Sequence, residues 1–197
     1  MTNLTNLTIN KNYEFYTEFR KSVTNLSPLS GLTNLQVLEI GQTKLRNLSP
    51  LSGLTNLTEL DLSLNQISDI SPLSGLTNLT ELDLSLNQIS NLTALSGLTN
   101  LTKINLCINH ISDVTPLSGL TNLTKLDLRH NEEIGDITSL ASLVNLEYLD
   151  LSFNQISDTT PLSGLTNLKQ LDLYGNNLTQ EQIDELQAKL PYCKIDF

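Results

Sequence analysis

An exact internal repeat constrains this chain more than any other feature of its sequence. The segment from Leu51 to Ser68 recurs letter for letter from Leu73 to Ser90, an offset of 22 residues. Self-similarity at a fixed period of this size is the signature of solenoid architectures. The units begin near Met1, Leu32, Leu54, Leu76, Leu98, Leu120, Leu143 and Leu165. The chain is therefore predicted to be a stack of eight coils.

Within each unit, apolar and polar residues alternate in the manner of a short β-strand. In the third unit, Leu60 and Leu62 fall on one side of the strand. Glu59, Asp61 and Ser63 fall on the other side. A lone coil buries too little apolar surface to offset the entropy lost in ordering its chain. The coils must therefore stack, so that their strands form one parallel sheet over a continuous core.

An asparagine follows most of the predicted strands, where its amide can satisfy backbone groups of the turn and bond from coil to coil. The column consists of Asn65, Asn87, Asn109, Asn131, Asn154 and Asn176. Thr43 interrupts it in the second coil. After the turn, Ser71 as cap, Pro72 as first residue and Gly75 as stop predict one short 3-10 turn on the convex side.

The repeated positions resemble the leucine-rich-repeat signature, and they do so over almost the whole chain. The matching positions of the third unit are Leu57, Leu60, Leu62, Asn65 and Ile67. The closing Ile70, Pro72 and Leu73 resemble the short 22-residue, internalin-like subclass of bacteria. The resemblance implies an α/β leucine-rich-repeat solenoid, with a curved parallel β-sheet on the concave side and short 3-10 turns on the convex side. It implies a bacterial protein-binding function.

The two ends depart from the regular unit. Tyr13 to Val23 forms an insertion with aromatic residues at helical spacing, which predicts a helix that caps the first coil or serves as an aromatic recognition helix. Thr179 to Leu190 predicts a C-terminal helix, and the segment after Pro191 can add an edge strand. We expect one domain over 1–197, comprising an atypical first repeat (1–31), regular repeats (32–178) and a C-terminal cap (179–197).

Composition narrows the choice of partner and compartment. The formal net charge of -10 disfavours nucleic acid and anionic membrane surfaces. No stretch reaches the roughly 18 apolar residues of a membrane span. Cys107 and Cys193 lie several repeats apart, so we expect two free thiols and a reducing compartment. We therefore predict a monomeric cytoplasmic protein, or a secreted or cell-surface protein if an export signal has been removed.

The sequence offers little for catalysis or cofactor binding. The spacing of His110 and His130 fits no metal motif, and the glycines occur singly rather than in a phosphate-binding loop. Cys107 and His130 form the one nucleophile–base pair on adjacent strands, and we interpret it as chance occupancy of variable positions. We therefore predict no enzyme activity, no cofactor and no metal.

Two further features are candidate contact sites. An acidic column on the concave side consists of Glu39, Asp61, Asp83, Asn105, Asp127, Asp150 and Asp172. It can attract calcium or a basic peptide, but a line of parallel side chains does not converge on a metal ion, and we interpret it as a solvated face. The unit at Leu120 has 23 residues, and its extra residue between Asn131 and Gly135 predicts a bulge.

The exposed strand positions vary whereas the buried ones barely change, which locates selectivity on the concave side. A basic and aromatic group on coils five to eight is the predicted hot spot, because Arg and aromatic residues dominate binding energy. It consists of Lys103, Lys125, Arg129, His130, Tyr148, Phe153 and Tyr174. The column just before the asparagines holds Leu64, Leu86, Ile108 and Phe153, which form either an exposed apolar stripe or part of the core.

These observations favour a protein-interaction module that binds a protein partner on its concave face. One alternative is a surface adhesin fragment, since the resemblance to internalins implies action on a host receptor. A second is a targeting subunit of an enzyme complex. A hydrolase rests on Cys107 alone and is the weakest hypothesis.

Overall fold

The computed structural model describes residues 3–9 and 23–197. Within these residues, nine strands form one parallel sheet whose spatial order follows the chain. The strands are β1 (Asn6–Ile9), β2 (Val37–Ile40), β3 (Glu59–Asp61), β4 (Glu81–Asp83), β5 (Lys103–Asn105), β6 (Lys125–Asp127), β7 (Tyr148–Asp150), β8 (Gln170–Asp172) and β9 (Lys194–Asp196). Coils one to eight carry β1 to β8, and the C-terminal tail supplies β9. The predicted parallel solenoid and its last edge strand are confirmed.

The strand register keeps equivalent residues of the repeat in straight columns. Leu60 of β3 pairs with Leu82 of β4, and Glu59 pairs with Glu81. Behind the sheet, the leucines and isoleucines of the coils form one continuous buried core. Each column is therefore either a core position or a concave-face position along the whole stack.

Short 3-10 turns form the convex side, and their capping differs from the prediction. The Ser71–Leu73 turn has Pro72 as its second residue, and the Asp69 Oδ1 atom accepts the Ser71 N–H at 2.9 Å. The prediction that Ser71 caps this turn is therefore wrong, and Asp69 caps it instead. The physical reason is that a side-chain oxygen two residues upstream reaches the first free N–H of so short a turn. The same bond comes from Asn25, Asn47, Asn91, Asp113, Asp136 and Asp158 in the other coils. The turns are Ser27–Leu29, Ser49–Leu51, Ser71–Leu73, Thr93–Leu95, Thr115–Leu117, Thr138–Ser142 and Thr160–Leu162.

The predicted asparagine column is a buried hydrogen-bond ladder. Asn87 is typical: its Oδ1 atom accepts the Ile67 N–H of the preceding coil at 3.0 Å. Its Nδ2 group donates to the carbonyls of Leu62, Leu84 and Ser85 at 3.0 to 3.1 Å. Each such asparagine thus bonds its own turn and the coil before it, so it pairs backbone groups that the sheet does not reach.

Thr43 takes the place of the asparagine in the second coil and still bonds to the ladder of the third coil. Both its backbone N–H and its hydroxyl donate to Asn65 Oδ1, at 3.1 and 2.9 Å. The second coil therefore stays bonded to the third although it has Thr43 rather than an asparagine at the ladder position.

The one-residue insertion after Asn131 does interrupt the ladder. Glu132 adopts a φ of 58°, and the Glu133 N–H donates to the Asn131 carbonyl of its own coil at 2.8 Å. The Asn154 Oδ1 atom is left as the one buried side-chain oxygen or nitrogen without a partner in the described part of the chain. The predicted bulge is therefore confirmed, and it removes the bond that Ile134 would otherwise donate.

The C-terminal cap is helix α1 (Gln180–Lys189), which Thr179 begins with a capping box that includes Gln182. Ile183 and Leu186 of this helix are buried and belong to the same apolar core as the coils. The other predicted cap, the helix from Tyr13 to Val23, lies outside the described residues apart from Val23.

We predict that Asn87→Ala destabilises the fold more than Asn154→Ala does. Asn87 loses four hydrogen bonds and Asn154, whose Oδ1 atom is unpaired, loses one fewer. Each bond contributes about 1 kcal/mol, so the two variants should differ by roughly that amount in urea unfolding. Equal losses would contradict the idea that the bulge removes one bond of the ladder.

Candidate protein-binding face

The concave face carries a column of charged residues that changes sign along the stack. We call Glu59, Glu81, Lys103 and Lys125 the charged column; sheet pairing aligns them on consecutive strands. At the change of sign, Lys103 Nζ lies 2.7 Å from Glu81 Oε1, with both side chains about half exposed. The acidic coils and the basic coils therefore meet in one exposed ion pair. A depression of about 280 Å³ lies over these strands, bordered by this column and by Asp61, Asp83 and Asp127.

At coils six and seven, a cation stacks on an aromatic ring. Lys125 Nζ lies 4.9 Å from the centre of the Tyr148 ring. The Tyr148 hydroxyl is 3.3 Å from Asp150 Oδ2, and partial burial together with this carboxylate raises the pKa of Tyr148 to about 12. The ring therefore stays neutral and keeps both its aromatic face and its hydroxyl donor at physiological pH.

The acidic column bonds to the backbone after each of β3 to β8 rather than merely facing solvent. In coils three to eight the side chain accepts the backbone N–H two residues later, as Asp61 does from Ser63 at 2.9 Å. Asp127 and Asp150 are only 7% and 3% exposed, so the predicted solvated face is wrong for these two carboxylates. Across the described residues, no three His, Cys, Asp or Glu side chains are grouped as metal ligands.

Arg129 is held beside the buried carboxylates. Its Nε atom lies 3.6 Å from Asp127 Oδ2, and this charge raises the pKa of the guanidinium. Burial, joined by the neighbouring Asp150, raises the pKa of Asp127 to about 6. For the charged form of Asp127, the unfavourable effect of burial on its pKa is thus larger than the favourable effect of the nearby Arg129 cation.

Three aromatic rings stack at the edge of coils six to eight. The His130 and Phe153 rings are nearly parallel with centroids 4.1 Å apart, and Tyr174 meets Phe153 edge-on at 5.3 Å. Tyr174 is 57% exposed. Gly175 has a φ of 73°, and a Cβ atom there would lie 2.9 Å from Phe153 Cδ1, so a glycine leaves room for the stack.

The column just before the asparagines, which contains His130 and Phe153, continues as aliphatic residues in coils three to five. These residues are exposed, so they form an apolar stripe and are not part of the core. Leu64, Leu86 and Ile108, which we call the apolar ridge, are 37%, 36% and 43% exposed. Each has a positive φ of 54° to 57°. The left-handed backbone lifts these side chains out of the core at the carboxyl end of the strands. Periodicity alone did not reveal this conformation, although glycine at the equivalent position 175 was a signal of it.

The structure therefore brings the predicted hot-spot residues together in two groups. Lys125 contacts Tyr148, whereas His130, Phe153 and Tyr174 form the stack. Arg129 lies between them beside Asp127, and Lys103 pairs with Glu81 on the acidic side. The two buried aspartates under this region were not among the predicted site residues.

The weak hydrolase hypothesis gains no support from the geometry. Cys107 is buried, and burial raises the pKa of its thiol, which disfavours the nucleophilic thiolate. The His130 ring stacks on Phe153. Cys107 and Cys193 are both free thiols, as predicted. Among the described helices, none has the length and apolar character needed to cross a bilayer.

We predict that Asp127→Asn stabilises the fold at pH 7 more than at pH 4. Because folding raises the pKa of Asp127 from 3.8 to about 6, the folded chain holds this proton more tightly than the unfolded chain. Stability from this group is therefore lost as the pH rises through that interval. Asparagine keeps the acceptor for the Arg129 N–H, as Asn105 does for Cys107 at 3.1 Å in the preceding coil.

Urea unfolding of parent and variant at the two pH values measures the effect. The stability advantage of the variant should grow by about 1 kcal/mol between pH 4 and pH 7, after allowance for solvent screening. An advantage that does not change with pH would show that the Asp127 carboxyl is not under strain from burial.

Comparison with known proteins identifies the repeat. The family model described as Leucine Rich repeats (2 copies) matches residues 55–97, 99–142 and 144–188. A solved internalin, InlF, from Listeria monocytogenes has a TM-score of 0.91 and 34% identity over 100% of this chain and 55% of that chain. Internalin C2 from the same organism has a TM-score of 0.83 and 36% identity, over 90% of this chain and 77% of that chain.

More distant structures share the same architecture. A leucine-rich-repeat protein from Leptospira interrogans has a TM-score of 0.82 and 28% identity, over 87% of this chain and 45% of that chain. No curated protein matches this chain significantly. The chain spans about half the length of InlF, at 55%. From its repeats and its structural relatives, the chain belongs to the leucine-rich-repeat family and, within it, to the bacterial internalin-like proteins.

Proposed function

We propose that this chain is a non-catalytic interaction module that binds a protein partner on its concave face, with most binding energy on coils five to eight. The observation that carries the proposal is the stack of His130, Phe153 and Tyr174, in which Phe153 and Tyr174 are exposed. Stacked rings present a large rigid surface that loses little conformational entropy on binding. The fold of the repeat does not require aromatic rings at these positions, because coils three to five have aliphatic residues in the column of His130 and Phe153.

The cations beside the stack extend this surface. Lys125 is held over Tyr148, and Arg129 is about half exposed beside Asp127. An arginine fixed by a carboxylate retains donors that a partner can use, and it lies in the centre of the predicted hot spot. Lys103 belongs to the rim, since its ion pair with Glu81 is exposed and contributes little net energy.

A surface adhesin that binds a host receptor is the second candidate. The internalin InlF, which matches the whole of this chain, favours it. The two candidate functions differ in the origin of the partner. A cytoplasmic module would bind a bacterial protein, whereas a surface adhesin would bind a host protein. The monomeric state also stays a prediction, which sedimentation analysis of the purified chain would test.

We predict that Arg129→Glu combined with Phe153→Ser abolishes partner capture without unfolding the chain. Both side chains are exposed, and removal of a hot-spot residue costs about 2 kcal/mol, so capture should fall by more than tenfold. Affinity capture from native bacterial lysate and from host-cell surface extract, quantified by mass spectrometry, measures this loss.

A matched control carries Arg46→Glu and Tyr192→Ser, the same kinds of change at exposed positions outside the concave columns. The partner should be retained by the parent and by this control. Equal capture by all three chains would place the binding site elsewhere and contradict the proposal. Enzyme activity that co-purifies with the partner would instead favour a targeting subunit.

A further inference from the structure

The apolar ridge and the charged column border a strip of the concave face, which we call the trough. Both run through coils three to five: the charged column lies at the first residue of each strand, and the ridge lies three residues after each strand ends. Between them lie the acidic column at Asp61, Asp83 and Asn105 and the small residues Ser63, Ser85 and Cys107, each at the same position of successive coils. At coil six this position is Arg129, a long and half-exposed side chain beside Asp127.

Fold stability does not account for the apolar ridge. A left-handed backbone costs a residue other than glycine about 1 to 2 kcal/mol. The cost is greatest for a β-branched residue such as Ile108, whose φ is 55°. With more than a third of each side chain exposed, burial recovers only part of this cost. Gln42 and Gly175 occupy the same position in coils two and eight, so stacking does not require an apolar residue there.

We propose, as a refinement that rests on the proposed function, that this trough binds an amphipathic α-helix of the partner, lying along the stack. The inner strands are hydrogen-bonded on both sides, so no free strand edge is available within the trough for an added strand. A helix satisfies its own backbone. Its apolar residues recur about every 5.4 Å, close to the roughly 4.8 Å between coils, so each turn can place one anchor against one ridge residue.

The charged column specifies the polarity of the helix. Glu59 and Glu81 face a basic half, whereas Lys103, Lys125 and Arg129 face an acidic half. Acidic residues stabilise the first turns of a helix and basic residues the last. The N-terminus of the bound helix therefore lies towards coil six and its C-terminus towards coil three. Four coils span about 15 to 20 Å, which corresponds to a helix of roughly 10 to 13 residues.

The first test needs no partner. A triple variant, Leu64→Asn, Leu86→Asn and Ile108→Asn, replaces the ridge with the residue that tolerates a left-handed backbone best after glycine. We expect its urea midpoint to equal or exceed that of the parent, because the ridge is kept for binding and not for stability. A clear fall in the midpoint would show that the ridge is a structural element and would overturn the proposal.

The second test uses two synthetic helical peptides with the same composition and the same apolar face, each stapled on its outer face to equalise helicity. One carries Glu in its N-terminal half and Lys in its C-terminal half, and the other has the reverse order. In fluorescence polarisation, the first should bind the parent chain at least about tenfold more tightly, which is about 1.4 kcal/mol. The triple variant should lose both peptides.

A charge-reversed chain provides the matched control. Glu59→Lys, Glu81→Lys, Lys103→Glu and Lys125→Glu reverse the column without changing its composition, so the preference between the peptides should invert. Equal affinity for both peptides, or binding of neither, would overturn the helix proposal. If partner capture still depends on Arg129 and Phe153 in that case, the proposed function stands and the refinement alone fails.

Discussion

The whole solenoid depends on pairing the backbone groups at the point where each strand turns. The strands cover only three or four residues of each coil, and the turn that follows is partly buried around its asparagine. The asparagine ladder resolves this conflict, since each buried amide bonds its own turn and the preceding coil. Because an unpaired buried backbone group is costly, the ladder makes stacking a condition of folding.

The ladder also explains why one coil tolerates an extra residue. The insertion after Asn131 lies in the turn, beyond the strand, and costs the bond to Asn154 Oδ1. The register is restored at the next strand, where Leu126 pairs with Leu149. Gln155 bridges the bulge by donating from its side chain to the Glu132 carbonyl. Variation in a turn thus stays local because the core columns on either side stay aligned.

The proposed binding face consists mostly of positions that the scaffold leaves free, with two exceptions. The acidic column both ends the strands and carries charge, and at Asp127 and Asp150 it is buried beneath Arg129. The raised pKa of Asp127 shows that this arrangement is held against a desolvation cost. The apolar ridge is a second departure from the residues that its backbone favours. Both departures lie on the concave side, and departures from local rules of this kind are typical of functional positions.

The sequence by itself determined the coils, the parallel sheet, the core columns, the ladder and the C-terminal cap. These follow from periodicity, because a residue that recurs at the same place in every coil meets its own copies in the stack. Only the tertiary structure decided how far each side chain of the concave face is exposed to solvent. The left-handed φ at Leu64 exposes a side chain that hydropathy would bury. Lys103 pairs with Glu81, and Asp69 rather than Ser71 caps its turn, because such bonds depend on distances between backbone segments that no pattern of residue types specifies.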